Sequence, residues 1–178
     1  MSRLSFIQPD DATGKTADLF GAIKRGMGKV PNAYVTIGSN APEVLGQALQ
    51  HNAMLGKSSL NARQREAINL AVSEATGCDY CLAAHTLMAK GAGFSEEETR
   101  QLRHADYPQD VQLDALVKFV RTLVTTRGTL EEAVVNAFRD AGFTDRQVVE
   151  TISAVSAILF TNMINRVNDT VVDFPKVS

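Results

Sequence analysis

Cysteine is scarce in this sequence, two residues in 178, which rules out a disulfide-stapled fold. Charge of one sign is equally thin. A net charge of −2 supplies no basic field, so nucleic acid and acidic lipid are excluded as default partners. No uninterrupted apolar run reaches membrane-spanning length. The most apolar segment, 148–164, is broken by Glu150, Thr151, Ser153, Ser156, Thr161 and Asn162, and reads as a buried helix rather than a membrane span. The opening MSRLSFIQPDDATG lacks an apolar stretch followed by a small-residue cleavage site, so no secretory signal is expected and a cytoplasmic location follows. There, two cysteines are for catalysis or metal binding rather than a structural staple. Alternating strand patterns are missing too, and the five prolines fall at element ends or first turns.

What remains is helical period. With 44% hydrophobic and 21% charged residues the composition is that of an ordinary folded chain, and the length suits one domain over 1–178. An extended arm over 1–11 precedes a helix from Thr13 to about Arg25, ended by Gly26 and Gly28. A short segment, Lys29–Ile37, leads to a helix over Asn40–Leu55 with Pro42 in its first turn. Downstream, Ser95 with Glu98, Thr129 with Glu132, and Thr144 with Gln147 have the spacing of capping boxes, the last opening a helix to about Val167. Between them Asp110–Thr126 repeats apolar residues at amphipathic spacing. The segments GAGFSEEETRQL and DAGFTDRQVVETI look alike, as if one turn-plus-helix unit were used twice. The fold class predicted is an all-α bundle.

The chemistry concentrates at 61–92. Asn61 can cap a helix over Leu60–Thr76, with Gln64 as capping-box partner and Ala67, Ile68, Ala71, Val72 and Ala75 on one apolar face. Gly77 breaks it, and a second helix from Cys78 to about Ala92 puts Cys78, Cys81 and His85 on one face. In an antiparallel hairpin turning near Ala75 and Thr76, Glu66 falls opposite His85 and Ser73 opposite Cys78. Cys81 and His85, at i and i+4, have Cβ atoms roughly 6 Å apart. Carboxylate, imidazole and two thiols therefore converge. An ordinary thiol, with a pKa of about 8.5, is mostly unreactive at neutral pH; a helix N-terminus and a nearby imidazole favour the thiolate. A carboxylate behind the histidine orients the ring. A sulfur oxidised by peroxide to a sulfenic acid can be resolved by its neighbour as a disulfide.

The pattern E-x11-C-x2-C-x3-H, formed by Glu66, Cys78, Cys81 and His85, resembles the active-site signature of the alkylhydroperoxidase D (AhpD) family within the carboxymuconolactone decarboxylase superfamily. The likeness extends to the upstream KVPNAYVTIGSNAPEVL and to the later NMINRV. It implies an AhpD-like helical bundle with the CxxC hairpin at its centre, assembly into trimers or hexamers, and reduction of hydroperoxides by the cysteine pair. Electrons would come from an external dithiol reductant of lipoyl or thioredoxin type, the glutamate and histidine would relay a proton, and no metal or organic cofactor would be needed. Some relatives carry a second histidine where this chain has Tyr80.

Rival readings exist for the same residues. The cysteines could be small core hydrophobes. C-x-x-C-x-x-x-H with Glu66 could also hold zinc, although no second ligand cluster accompanies it. A thioredoxin site is disfavoured because a helix, not a strand, precedes the cysteines. Two other functions are carried forward: a binding module gated by the disulfide, and a lactone decarboxylase that would not need the cysteines. Cys81, within reach of His85, is the expected peroxide-attacking sulfur and Cys78 the resolving one, although the helix N-terminus favours the reverse order. Tyr80, on the opposite helix face from His85, is assigned to packing or a subunit contact, Asn165 and Arg166 to structure or an interface, and His51 and His104 to no chemistry.

Overall fold

The computed structural model describes residues 2–177. Among them the regular elements are a 3-10 turn at Pro9–Asp11 and nine helices. These are α1 (Gly14–Met27), α2 (Asn32–Asn40), α3 (Pro42–Leu55), α4 (Ala62–Thr76), α5 (Asp79–Gly91), α6 (Glu96–Arg103), α7 (Val111–Thr125), α8 (Glu132–Asp140) and α9 (Asp145–Asn168). No strand occurs among the described residues, and the all-α fold class holds.

The bundle is organised around α4, which packs against α5, α6, α7 and α9. Ala67, Ile68, Leu70, Ala71, Val72 and Ser73 are all buried, so α4 is enclosed on more than one face, while Ala75, expected on the apolar face, is exposed. Its ends are fixed by local chemistry. The Asn61 side chain accepts from the Gln64 N–H and the Gln64 side chain from the Asn61 N–H, each at 2.9 Å. At the other end Gly77 adopts φ 65°, a left-handed conformation that glycine enters freely. The Cys78 N–H then reaches back to the Ser73 carbonyl at 2.9 Å and the Gly77 N–H to that of Glu74 at 3.0 Å, a Schellman closure. This turn reverses the chain directly into α5.

A second, smaller core joins α1, α2 and α3 through Phe20, Ile23, Val35, Ile37 and Leu45. Gly38 is needed there: a Cβ on it would lie 2.5 Å from Phe20 Cε1 and 2.8 Å from Leu45 Cδ2. The look-alike segments share a turn in the structure. Gly93 and Gly142 both take positive φ, Phe94 and Phe143 are both buried, and Ser95 and Thr144 both make capping boxes.

Several boundaries differ from the expectations for physical reasons. Gly26 does not end α1, because the left-handed exit is at Gly28. Lys29–Ile37 gives way to a helix, α2, entered through Pro31. The second helix of the hairpin begins at Asp79, with Cys78 as its N-cap. Thr129 caps nothing; α8 starts after Glu131. The apolar segment within α9 is only partly a core helix. Thr151, Ala154, Val155 and Ile158 are buried, while Val149 and Met163 are 67% and 62% exposed. By length and composition alone α9 is sufficient to cross a bilayer, yet Asn162, Asn165 and Asn168 sit on its buried side.

Beyond α9 the chain turns at Asp169 and folds back. Asn32 Nδ2–H donates to the Val171 carbonyl at 2.9 Å, Lys29 Nζ lies 2.9 Å from Asp173 Oδ2, and the Tyr80 hydroxyl donates to Asp173 Oδ1 at 2.7 Å. The Phe174 ring meets Tyr80 edge-on at 5.6 Å, and Lys29 Nζ lies over the Phe174 ring, 4.2 Å from its centroid. The N-terminal arm is tied to the same end of α9 by Leu4 N–H donating to Asn168 Oδ1 at 2.8 Å.

Candidate active site

The hairpin of α4 and α5 brings all four sequence-predicted residues together. Glu66, on the second turn of α4, faces His85 on α5, and Glu66 Oε2 lies 2.8 Å from His85 Nδ1 with both side chains 17% exposed. That contact is the one an antiparallel hairpin demands, since one residue lies as far before the turn as the other lies after it. Asn69 Nδ2–H donates to the other oxygen, Oε1, at 3.3 Å. The carboxylate is thereby held from two sides, and the ring is oriented by it.

Cys78 and Cys81 are both buried free thiols. Their sulfurs lie 2.7 Å apart, closer than unbonded sulfurs ordinarily come and longer than the about 2.05 Å of a disulfide. In the neutral pair either can donate. Once a proton is lost the arrangement is asymmetric: the Cys81 thiol donates to the Cys78 sulfur, which lowers the Cys78 pKa from its ordinary value, while burial opposes the shift. The Cys81 backbone N–H, 3.4 Å from Cys78 Sγ, and the charge of His85 favour the Cys78 thiolate further. Cys81 is pushed well up, first by its hydrogen bond to Cys78, then by burial and by the negative charge next to it. Of the two, Cys81, expected to attack because His85 is within its reach, is the sulfur whose ionisation is suppressed, and Cys78 the one whose thiolate is favoured. As N-cap, Cys78 receives a first-turn N–H and the imidazole's charge, so the negative charge rests there.

Access runs the other way. A cavity of about 270 Å³ opens against Cys81, His85 and Glu66, and Cys78 is not among its walls. Apolar walls come from Leu55, Met88, Ala154 and Ile158, and polar points from Asn69, Thr161 and Asn165. The C-terminal tail supplies Phe174 as one wall. Tyr80, assigned from the sequence to packing or a subunit contact, lines the cavity as well. Its hydroxyl accepts from the Ala33 N–H at 3.1 Å, and its ionisation is suppressed by burial and by Asp173.

Asn165, assigned from the sequence to structure or an interface, stands at the thiols instead. It is 4% exposed, and its Nδ2–H donates to Cys81 Sγ at 3.3 Å. One turn earlier Asn162 Nδ2–H donates to Thr76 Oγ1 at 2.8 Å, clamping α9 to the end of α4. An asparagine every third residue on a buried helix face, at 162, 165 and 168, is the signal that was available. His51 Nε2 pairs with Ser153 Oγ at 2.8 Å, away from the cysteines. Among the described residues no group of three or more His, Cys, Asp or Glu side chains is placed to share a metal ion.

Residues 42–116 match the sequence profile of the carboxymuconolactone decarboxylase family. No curated protein matches the chain in sequence. Among solved structures, the AhpD core of an uncharacterised peroxidase-related protein from Ralstonia eutropha JMP134 superimposes with a TM-score of 0.86 at 19% identity, covering 97% of this chain and 92% of that one. An uncharacterised peroxidase-related protein from Silicibacter sp. TM1040 gives 0.79 at 21% identity, over 96% and 91%. A cysteine-to-alanine variant of the debrominase Bmp8, in complex with 2,3,4-tribromopyrrole, gives 0.80 at 16% identity, over 97% and 92%.

Proposed function

We propose that this chain, whose residues 42–116 match the carboxymuconolactone decarboxylase family profile and whose fold is AhpD-like, is a thiol-dependent peroxidase of that superfamily that reduces organic hydroperoxides. The observation that carries the reading is the dithiol Cys78 and Cys81, with the Glu66–His85 pair beside it, at the wall of a small, mainly apolar cavity. Cys78 holds the charge and Cys81 has the access.

The proton that Cys78 gives up resides on His85, whose Nδ1 faces Glu66. As substrate enters, the Cys81 proton passes to Cys78 across 2.7 Å, and the Cys81 sulfur attacks the terminal oxygen of R–O–O–H. The S–O bond forms, the O–O bond breaks, and the departing alkoxide takes the proton from His85 to leave as alcohol. His85 next removes the proton from Cys78. The Cys78 thiolate displaces hydroxide from the Cys81 sulfenic acid, which leaves as water with that proton, and the disulfide remains. An external dithiol of lipoyl type restores the thiols by exchange.

The test is consumption of cumene hydroperoxide by the reduced protein with dihydrolipoamide present. Multiple turnovers are expected, falling about 100-fold in kcat in Glu66→Gln, where the ring loses its anionic partner. No turnover by the native chain, despite a reversible Cys78–Cys81 disulfide, overturns the reading and leaves a redox-gated binding module. Activity that survives loss of both cysteines points to a decarboxylase instead.

Reductive dehalogenation is the second reading, supported by the debrominase of the same fold whose cysteine variant holds a bromopyrrole. A dithiol can exchange C–Br for C–H, releasing bromide and a proton as it becomes a disulfide. Bromide release from tribromopyrrole in the same assay separates the two.

Assembly into homo-oligomers is proposed as well. Val149, Ile152, Met163 and Val167 form an exposed apolar line along α9, and a second copy of the chain would cover it. Sedimentation of the native protein is expected to give a trimer or hexamer, and Met163→Glu to release smaller species; a native monomer ends this proposal.

A further inference from the structure

The amide of Asn165 is half satisfied. Its Nδ2–H is spent on Cys81 Sγ at 3.3 Å, while its Oδ1 is buried without a hydrogen-bond partner. A buried acceptor without a donor is costly, so one kept at a cavity wall calls for an explanation. The sulfur that Asn165 contacts is Cys81, the one that lines the cavity. A carboxamide presents donor and acceptor side by side in one plane. With the donor fixed on a sulfur that lines the cavity, the acceptor is held in the same amide plane, close to that sulfur.

Resting on the peroxidase reading, we propose that Asn165 is a catalytic residue that spans the forming S–O bond. Its N–H steadies the Cys81 sulfur, and its Oδ1 accepts the terminal O–H of the hydroperoxide. That hydrogen is never transferred in the first step. It stays on the oxygen as R–O–O–H becomes Cys81 S–O–H and the alkoxide departs, so one hydrogen bond to Oδ1 serves substrate and product alike. Two consequences follow. The reacting oxygen is selected, because only the terminal oxygen carries a hydrogen. The class of substrate is selected too: hydroperoxides, which own that O–H, are admitted to reaction, and dialkyl peroxides, which lack it, leave Oδ1 buried and unpaired.

The experiment measures single-turnover oxidation of the reduced protein by cumene hydroperoxide, and in parallel the pH dependence of thiol alkylation by iodoacetamide, which needs no peroxide. Asn165→Leu removes donor and acceptor at similar volume; Asn165→Asp keeps an acceptor and loses the donor. Far-UV circular dichroism confirms that each remains helical. In Asn165→Leu the oxidation rate constant is expected to fall about 100-fold, the order seen when one donor to a reacting centre is removed. In Asn165→Asp alkylation of the pair is expected to move to higher pH, because a carboxylate near sulfur opposes its charge. Native-like oxidation within twofold in Asn165→Leu overturns the proposal. So does an unshifted alkylation profile in both variants. Should the native protein fail to react with hydroperoxide at all while the alkylation profile still shifts in the variants, the peroxidase reading falls and takes the Oδ1 role with it, leaving Asn165 as a positioning residue for Cys81.

Discussion

Replacing Cys81 with serine is expected to abolish hydroperoxide consumption, including the first equivalent, whereas Cys78→Ser should consume one equivalent and stop. The difference comes from the division of the cavity wall. Cys81 borders the cavity and Cys78 does not, so removing the former leaves the charge-bearing sulfur behind a hydroxyl that cannot attack. Removing Cys78 leaves the attacking sulfur in place without a partner to displace hydroxide from it. The oxidation should then halt at the sulfenic acid, which dimedone traps and mass spectrometry detects on the peptide containing Cys81. Serine is among the better N-cap residues, so Cys78→Ser preserves the start of α5. In the native protein the pair should alkylate with a midpoint below the about 8.5 of an ordinary thiol. The sign follows from the lowered Cys78 pKa: the thiolate persists as pH falls through the ordinary value and disappears only below the folded one. Single-turnover stopped-flow with both variants decides the matter. If Cys81→Ser still consumes one equivalent, attack belongs to Cys78.

The second large effect is on stability. Leu116 on α7 is fully buried in the main core, which α4 and α7 share. Leu116→Ala removes three carbons from a close-packed site and should destabilise by about 2–5 kcal/mol, depending on how far the surroundings relax. At this chain length each kcal/mol lowers the thermal midpoint by about 2–4 °C. Because Leu116 is absent from the cavity wall, turnover per folded molecule well below the midpoint should be unchanged. Differential scanning calorimetry alongside the peroxide assay checks both halves. A loss of kcat in step with stability would mean that α7 holds the site as well as the scaffold.

Much of this was legible because it is local. Asn61 with Gln64, Ser95 with Glu98 and Thr144 with Gln147 announce three helix starts through contacts between residues three apart, and the structure makes all three. The Glu66–His85 contact is nearly as local, since one tight turn at Gly77 sets its register. The failures share the opposite property. Lys29–Ile37 gives a helix because Val35, Ile37 and Leu45 are gathered into a core with Phe20 from another element, which no window around Pro31 reveals. Thr129 with Glu132 has the right spacing, yet the positive φ values at Arg127 and Gly128 redirect the chain and the helix begins later. Asn165 depended on how α9 crosses the hairpin, a contact between residues 84 apart in sequence. Tyr80 was placed correctly by helical period on the face away from His85, but the returning tail and Ala33 wrap around that side and draw it into the cavity wall.

The tail also separates two properties that usually travel together in a small helical protein. One cavity wall, Phe174, is supplied by a stretch outside every helix, fastened chiefly through Asp173 to Lys29 and Tyr80. Substitutions at Asp173 or Phe174 can therefore redraw which molecules fit the cavity without touching the helical bundle.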